Sequence, residues 1–152
     1  MTYELADGYK IRNQYGAHFL TFSIVGWIDL FSRQSYRDVL IESLKFCICN
    51  KGLQVGAFVI MSNHVHFIWT SENGNLSGLI RDFKCYTSKT FIDWMMKEPE
   101  SRKNWLLHMF QYYAEGTKAN DYYKVWTGNN HPEEIFSEKF GRCKLDIFMK
   151  TR

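Results

Sequence analysis

Two apolar runs that lie only three residues apart constrain this chain more than any other feature of its sequence. Leu53–Ile60 and His64–Trp69 are both rich in β-branched and aromatic residues, which is typical of strands. The short connection Met61–Asn63 brings these two strands close enough to form a hairpin. The sequence therefore predicts a fold that contains an antiparallel pair of strands.

The other segments of the chain predict one class of fold. Helices are predicted where apolar residues recur with a period of 3.6, and strands where β-branched and aromatic residues run together. In chain order, these segments are a strand at His18–Val25, a helix from Ser35 to the stop at Asn50–Gly52, a helix from Leu76 to about Met96, a helix at Asn104–Tyr113, a strand at Tyr122–Trp126 and a helix from Pro132 onward. Together they predict a single α+β, ferredoxin-like domain over residues 1–152, a split β-α-β antiparallel sheet with helices on one face.

Composition and charge narrow the classes of protein to consider. With 152 residues, of which 45% are hydrophobic, the chain is long enough for one packed domain and too apolar to be disordered. Its four cysteines form no Cys-x-x-Cys pair, and no apolar run is long enough for a signal or a membrane span, so we expect a reduced, cytoplasmic protein without a membrane partner. The net charge of +3 permits a nucleic-acid partner without requiring one.

Two histidines on the predicted hairpin are the first candidates for a functional site. His64 and His66 are two residues apart on a strand, where side chains alternate between faces, so both imidazoles should point the same way. Two neighbouring imidazoles supply half of a metal site. The alternative is a pair of hydrogen-bonded histidines on a partly solvated sheet face, and spacing alone does not separate the two.

The second long helix carries the candidate residues for contacting nucleic-acid phosphates. Arg81, Lys84 and Lys89 lie on or beside its polar face. Such a basic band has two interpretations, a solvated helix face or a surface that contacts phosphates.

Several segments match a known family in the same order along nearly the whole chain. They are Met61–Ile68, in which a His-hydrophobe-His strand follows a short turn, the strand His18–Val25, the turn Gly74–Ser77, the helix segments Leu79–Lys84 and Thr87–Lys89, and Trp126 with Asn130–Glu134. Each segment alone is weakly specific. In combination the chain resembles the single-tyrosine HUH transposases, in particular the REP-associated tyrosine transposase branch of the IS200-like transposases.

This resemblance implies a partner, a cofactor and a reaction. The partner is single-stranded or hairpin DNA, and a homodimer is left open. In such enzymes two histidines, here His64 and His66, and a third polar ligand hold Mg²⁺ or Mn²⁺, which polarises the scissile phosphate. A helix-borne tyrosine then attacks the phosphorus and leaves a 5′-phosphotyrosine and a free 3′-hydroxyl.

The end of the sequence departs from the family pattern. Where the family's terminal helix reads roughly Lys-Leu-Asp-Tyr-Ile-His-Glu-Asn-Pro, this chain reads Lys144 to Arg152 as Lys-Leu-Asp-Ile-Phe-Met-Lys-Thr-Arg, so that Ile147 replaces the tyrosine and Thr151 the asparagine ligand. Deleting one T from the codons GAT TAT ATT CAT GAA AAC CCG gives codons for Asp-Ile-Phe-Met-Lys-Thr-Arg. We therefore interpret the chain as a frameshifted, C-terminally truncated copy, a hypothesis that resequencing the locus can test.

Three functions remain after this comparison. The first is an HUH-class DNA transposase that is catalytically impaired, because no tyrosine stands at the expected position and Tyr86 on the second long helix is a poor substitute. The second is a non-catalytic DNA-binding remnant of such an enzyme, and the third an unrelated ferredoxin-like module that binds RNA or a small ligand. Without Asn as the third ligand we expect weak metal binding, with Mn²⁺, Zn²⁺ or Ni²⁺ preferred to Mg²⁺.

Overall fold

A four-stranded antiparallel sheet forms the centre of the fold. The computed structural model describes residues 10–116 and 122–136. Its strands are β1 (His18–Ser23), β2 (Leu53–Ile60), β3 (His64–Ser71) and β4 (Glu133–Glu134), in the order β2-β3-β1-β4. The predicted hairpin is present as the antiparallel pair β2–β3, and β1 pairs with the other edge of β3.

Three helices cover one face of this sheet. They are α1 (Gln34–Asn50), α2 (Leu76–Lys97) and α3 (Lys103–Glu115). α1 and α2 pack against each other and against β2 and β3, and α3 packs on α2. The predicted α+β class is confirmed, and within the described residues no helix is both long and apolar enough to cross a membrane.

The alternation of side chains along β3 decides which residues face the helices. Val65, Phe67 and Trp69 are fully buried, while the residues between them are only partly buried. Phe67 and Trp69 meet Phe22 of β1 and Phe83 of α2 in a cluster of aromatic rings, with the Phe83 ring centre 5.2 Å from that of Trp69 and 5.9 Å from that of Phe67. Burial of this cluster therefore fixes the register of the central strands.

The predicted strand at Tyr122–Trp126 is wrong. This segment makes a single isolated antiparallel bridge, between Trp126 and Ile24, the residue that follows β1. Lys124, two residues earlier, bonds to a helix instead, since its N–H donates to the carbonyl of Phe110 in α3 at 3.0 Å. Because this bond directs the chain towards α3, no continuous ladder forms along β1, although the aromatic run is typical of a strand.

The predicted helix from Pro132 onward is also wrong over the residues that the structure describes there. Glu133 and Glu134 form β4 and pair with Phe19 and His18. The edge of β1 that faces away from β3 offers backbone N–H and C=O groups at this point. Pairing with them gives the backbone of Glu133 and Glu134 hydrogen-bond partners that the first turn of a helix would not supply. The predicted continuation of this helix beyond residue 136 lies outside the described residues.

A buried hydrogen bond attaches the segment around Trp126 to α2. The Trp126 indole N–H donates to the Thr87 hydroxyl at 2.9 Å, and the hydroxyl in turn donates to the carbonyl of Phe83 at 2.8 Å. Trp126 is 5% exposed and Thr87 is fully buried. This contact holds residues 123–130 against the helix, so it defines the space between them.

Replacing Thr87 with Val should lower the free energy of unfolding by about 1–3 kcal/mol, because the buried indole N–H then has no acceptor. Thr90→Val is the matched control, since the Thr90 hydroxyl bonds only within the helix, to the carbonyl of Tyr86 at 2.9 Å. We expect the control to change stability by no more than about 0.5 kcal/mol. Urea unfolding of both variants tests this, and equal losses would contradict the role assigned to Thr87.

Candidate nucleic-acid interface

The two histidines of β3 lie side by side on the sheet face opposite the helices. In the register of the sheet, His66 pairs with Thr21 and His64 with Ser23. The imidazole ring centres are 4.8 Å apart, with an angle of 79° between the ring planes. The predicted common orientation of His64 and His66 is therefore observed, and their proximity follows from the pleat of one strand.

Neighbouring oxygen atoms hold both imidazoles in place. His64 Nδ1 lies 2.7 Å from Asn63 Oδ1. Because an amide oxygen can only accept, Nδ1 carries the proton of the neutral ring and Nε2 carries the lone pair. The amide is oriented by its own nitrogen, which donates to the carbonyl of Trp27 at 3.5 Å. Burial lowers the pKa of His64, which favours the neutral form that can bind a metal.

His66 is fixed by a second set of contacts. Its Nδ1 lies 3.0 Å from the Thr21 hydroxyl. The ring of Phe19 stacks on it, with the centres 5.3 Å apart and the planes 25° from parallel. Both histidines thus have an oxygen partner on Nδ1, the arrangement that usually orients metal-binding imidazoles.

The pair fits a metal ion only as two ligands of a larger set. Within residues 10–116 and 122–136, no group of three or more His, Cys, Asp and Glu side chains is placed to hold a metal ion. The oxygen of Asn63 is engaged by His64, so it is not a third ligand in this arrangement. Thr151 and Ile147, which the resemblance placed at the ligand and nucleophile positions, lie outside the described residues.

The basic residues of α2 line a groove of about 480 Å³ between that helix and residues 123–130. Arg81, Lys84 and Lys89 all border the groove. The sequence analysis had placed the three on or beside one face of this helix. Lys124 lies on the opposite wall, and sequence analysis did not identify it as a candidate. The groove therefore brings together four basic side chains from two segments.

Lys84 differs from the other basic residues of the groove because it is largely withdrawn from water. Its Nζ donates to the carbonyl of Thr127 at 2.9 Å and lies 4.9 Å from the centre of the Phe22 ring. Burial, and secondarily the charge of Lys124, lowers its pKa to about 7. Arg81, by contrast, is exposed and pairs with Asp82 at 3.3 Å.

Asn130 is a second groove residue that the sequence analysis did not identify as a site. Its side-chain oxygen is buried and has no hydrogen-bond partner among the residues the structure describes. Its backbone carbonyl accepts from the N–H of Thr21, which anchors this wall of the groove to β1. A buried acceptor without a partner among the described residues is uncommon in proteins.

The sheet separates Tyr86 from the histidine pair. Tyr86 lies on α2, which packs on the opposite face through Phe83, and its side chain is 61% exposed. An attacking oxygen has to lie within about 3–3.5 Å of the phosphorus that it attacks. Tyr86 thus does not belong to the histidine site in this structure.

Comparisons with known proteins yield a likeness of fold. No protein-family model matches the chain, and no curated protein sequence is significantly similar to it. A solved structure of a REP-associated tyrosine transposase bound to a REP hairpin is similar with a TM-score of 0.55 and 19% sequence identity, over 91% of this chain and 67% of that one. At this identity the likeness establishes a shared fold and no more.

Proposed function

We propose that this protein binds single-stranded DNA that carries a hairpin, in a role related to that of the single-tyrosine HUH transposases. The observation that carries the proposal is the paired imidazoles of His64 and His66 on the open face of this sheet, 4.8 Å apart. The transposase with a similar fold was solved with a REP hairpin bound, which supports the same class of partner here. The order of sequence segments that resembles the family supports the proposal independently.

The groove beside α2 is the proposed surface for the DNA backbone. Arg81 and Lys89 are exposed there, and a phosphate lying between the two walls would meet Lys124 as well. Basic side chains that neutralise phosphates release counterions, so binding through them weakens as salt is raised. Lys84, with a pKa of about 7, would gain charge when a phosphate approaches it.

The double variant Arg81→Gln/Lys89→Gln should bind a DNA hairpin more weakly. The magnitude of the slope of log K against log salt should fall by about 1–2, because each lost phosphate contact lowers it by roughly 0.7–0.9. Lys45→Gln/Lys97→Gln removes the same charge outside the groove and should leave the slope unchanged. Fluorescence anisotropy across a salt series measures both. Equal slopes in the two double variants would contradict the proposed surface.

An RNA hairpin of the same sequence separates the DNA-binding proposal from the third candidate function. Equal or tighter binding of the RNA would favour an RNA-binding module and count against a transposase-related role. We expect the DNA hairpin with unpaired flanks to be the preferred ligand.

We propose in addition that His64 and His66 hold a divalent metal ion. The ion would supply Lewis-acid polarisation of a phosphate oxygen. Asn63 and Thr21 would keep the imidazoles oriented towards it, through the contacts on Nδ1. Two nitrogen ligands bind weakly and suit Mn²⁺, Zn²⁺ or Ni²⁺ better than Mg²⁺, which prefers oxygen.

Calorimetric titration should give weak binding of Mn²⁺, Zn²⁺ or Ni²⁺ and still weaker binding of Mg²⁺, with the signal lost in His64→Ala and in His66→Ala. His108→Ala is the control, because this exposed histidine lies on α3 away from the pair. Tight stoichiometric binding of Mg²⁺ would contradict the assignment, and so would equal losses in all three variants.

The catalytic state of the chain depends on whether any tyrosine replaces the one expected at Ile147. Tyr86 is a poor candidate, because it lies on the helix side of the sheet. A strand transferase without a dedicated nucleophile loses several orders of magnitude in rate. We therefore propose binding without efficient cleavage.

Incubation of the unmodified chain with a DNA hairpin and Mn²⁺ should give no covalent adduct on a denaturing gel, because no tyrosine is expected to reach a phosphate beside His64 and His66. Ile147→Tyr alone should not restore the adduct, since Thr151 is a poorer ligand than asparagine. An adduct formed by the unmodified chain and lost when one tyrosine is changed to Phe would show that a substitute nucleophile exists.

A further inference from the structure

Trp27 is a large aromatic side chain that the fold holds in water at the edge of the histidine pair. Its side chain is 66% exposed. The rings of Trp27 and His64 pack edge to face, with their centres 6.1 Å apart and their planes at 84°. An exposed tryptophan buries little apolar surface of its own, so core packing does not account for this position.

The backbone at this position is strained. Trp27 has a φ of 54°, in the left-handed region that bulky residues rarely adopt. The preceding Gly26 has a φ of 63°, so two successive residues take left-handed conformations in the turn Val25–Trp27. Such strain persists only where surrounding contacts impose it, and it is found preferentially at functional sites.

The contacts that impose this conformation come from both sides of the turn. The N–H of Val25 donates to the carbonyl of Val125 at 2.9 Å. A Cβ on Gly26 would lie 2.6 Å from the Tyr113 hydroxyl, so the backbone passes close to α3. On the other side, the Asn63 amide donates to the carbonyl of Trp27 while its oxygen holds His64. One amide side chain therefore connects the tryptophan to the histidine pair.

We infer that the exposed indole of Trp27 stacks on an unpaired base of the bound DNA and so positions the strand beside His64 and His66. This inference rests on the proposed function and adds a residue that reads the strand by stacking. Every base offers an aromatic face, so the contact needs no particular sequence. It also requires an unpaired nucleotide, because a base inside a duplex has no free face for the indole.

The choice of a base rather than an apolar partner follows from the neighbourhood of the ring. The indole packs edge to face with the imidazole of His64, and the Asn63 amide donates to the backbone carbonyl of the same tryptophan, so polar groups border this position. Stacking of one base on an aromatic side chain typically changes affinity by about 5- to 140-fold. The effect of removing the ring is therefore within reach of an ordinary binding measurement.

The test compares variants of Trp27 on a DNA stem-loop flanked by unpaired thymidines. Trp27→Asn should weaken binding by about 5- to 140-fold, while Trp27→Phe keeps an aromatic face and should lose less. Asparagine tolerates a left-handed backbone, so this variant should fold at least as stably as the parent chain. Trp105→Leu is the control, because Trp105 is 49% exposed on α3 and should leave affinity unchanged.

Abasic scanning of the flanks identifies the contact directly. An abasic nucleotide at one unpaired position should weaken binding by the parent chain and cause no further loss in Trp27→Asn, because both changes remove the same interaction. If Trp27→Asn binds like the parent, or if every abasic position adds fully to its loss, the inference is wrong while the proposed function stands. If the parent chain binds no stem-loop at all, the proposed function itself fails and the inference falls with it.

Discussion

The burial of one face of β3 is the constraint on which the other features depend. Val65, Phe67 and Trp69 are fully buried, and the two aromatic rings among them pack against Phe83 of α2, so the alternate residues of the strand must point to the opposite face. A register slip of one residue would expose the aromatic rings and bury the imidazoles. The side-by-side position of the histidines is thus a consequence of core packing rather than of a metal ion.

The proposed DNA-binding features occupy different sides of this sheet, and segments outside regular structure complete each of them. On the helix side, residues 123–130 are held to α2 by the bond from Trp126 to Thr87, and the groove between them contains the basic residues. On the open face, the turn that carries Trp27 borders the histidines through Asn63.

The errors of the sequence-based prediction have a common physical origin. Helices and strands with strong periodicity, such as α1, α2 and the β2–β3 hairpin, were predicted with small differences at their ends. Tyr122–Trp126 was mistaken for a strand because its composition favours one, whereas its backbone bonds with both α3 and the residues that follow β1. The short strand β4 has no periodic signal in the sequence, because it forms only by pairing with the edge of β1.

The sequence by itself determined the α+β class, the hairpin and the common orientation of His64 and His66, because these depend on local periods of two and 3.6 residues. It also placed Arg81, Lys84 and Lys89 on one helix. Only the tertiary structure brought Lys124 to face Lys84, left the oxygen of Asn130 buried within the groove, and held Trp27 beside the histidines. These features arise from contacts between residues far apart in the chain, for which a single sequence carries no local signal.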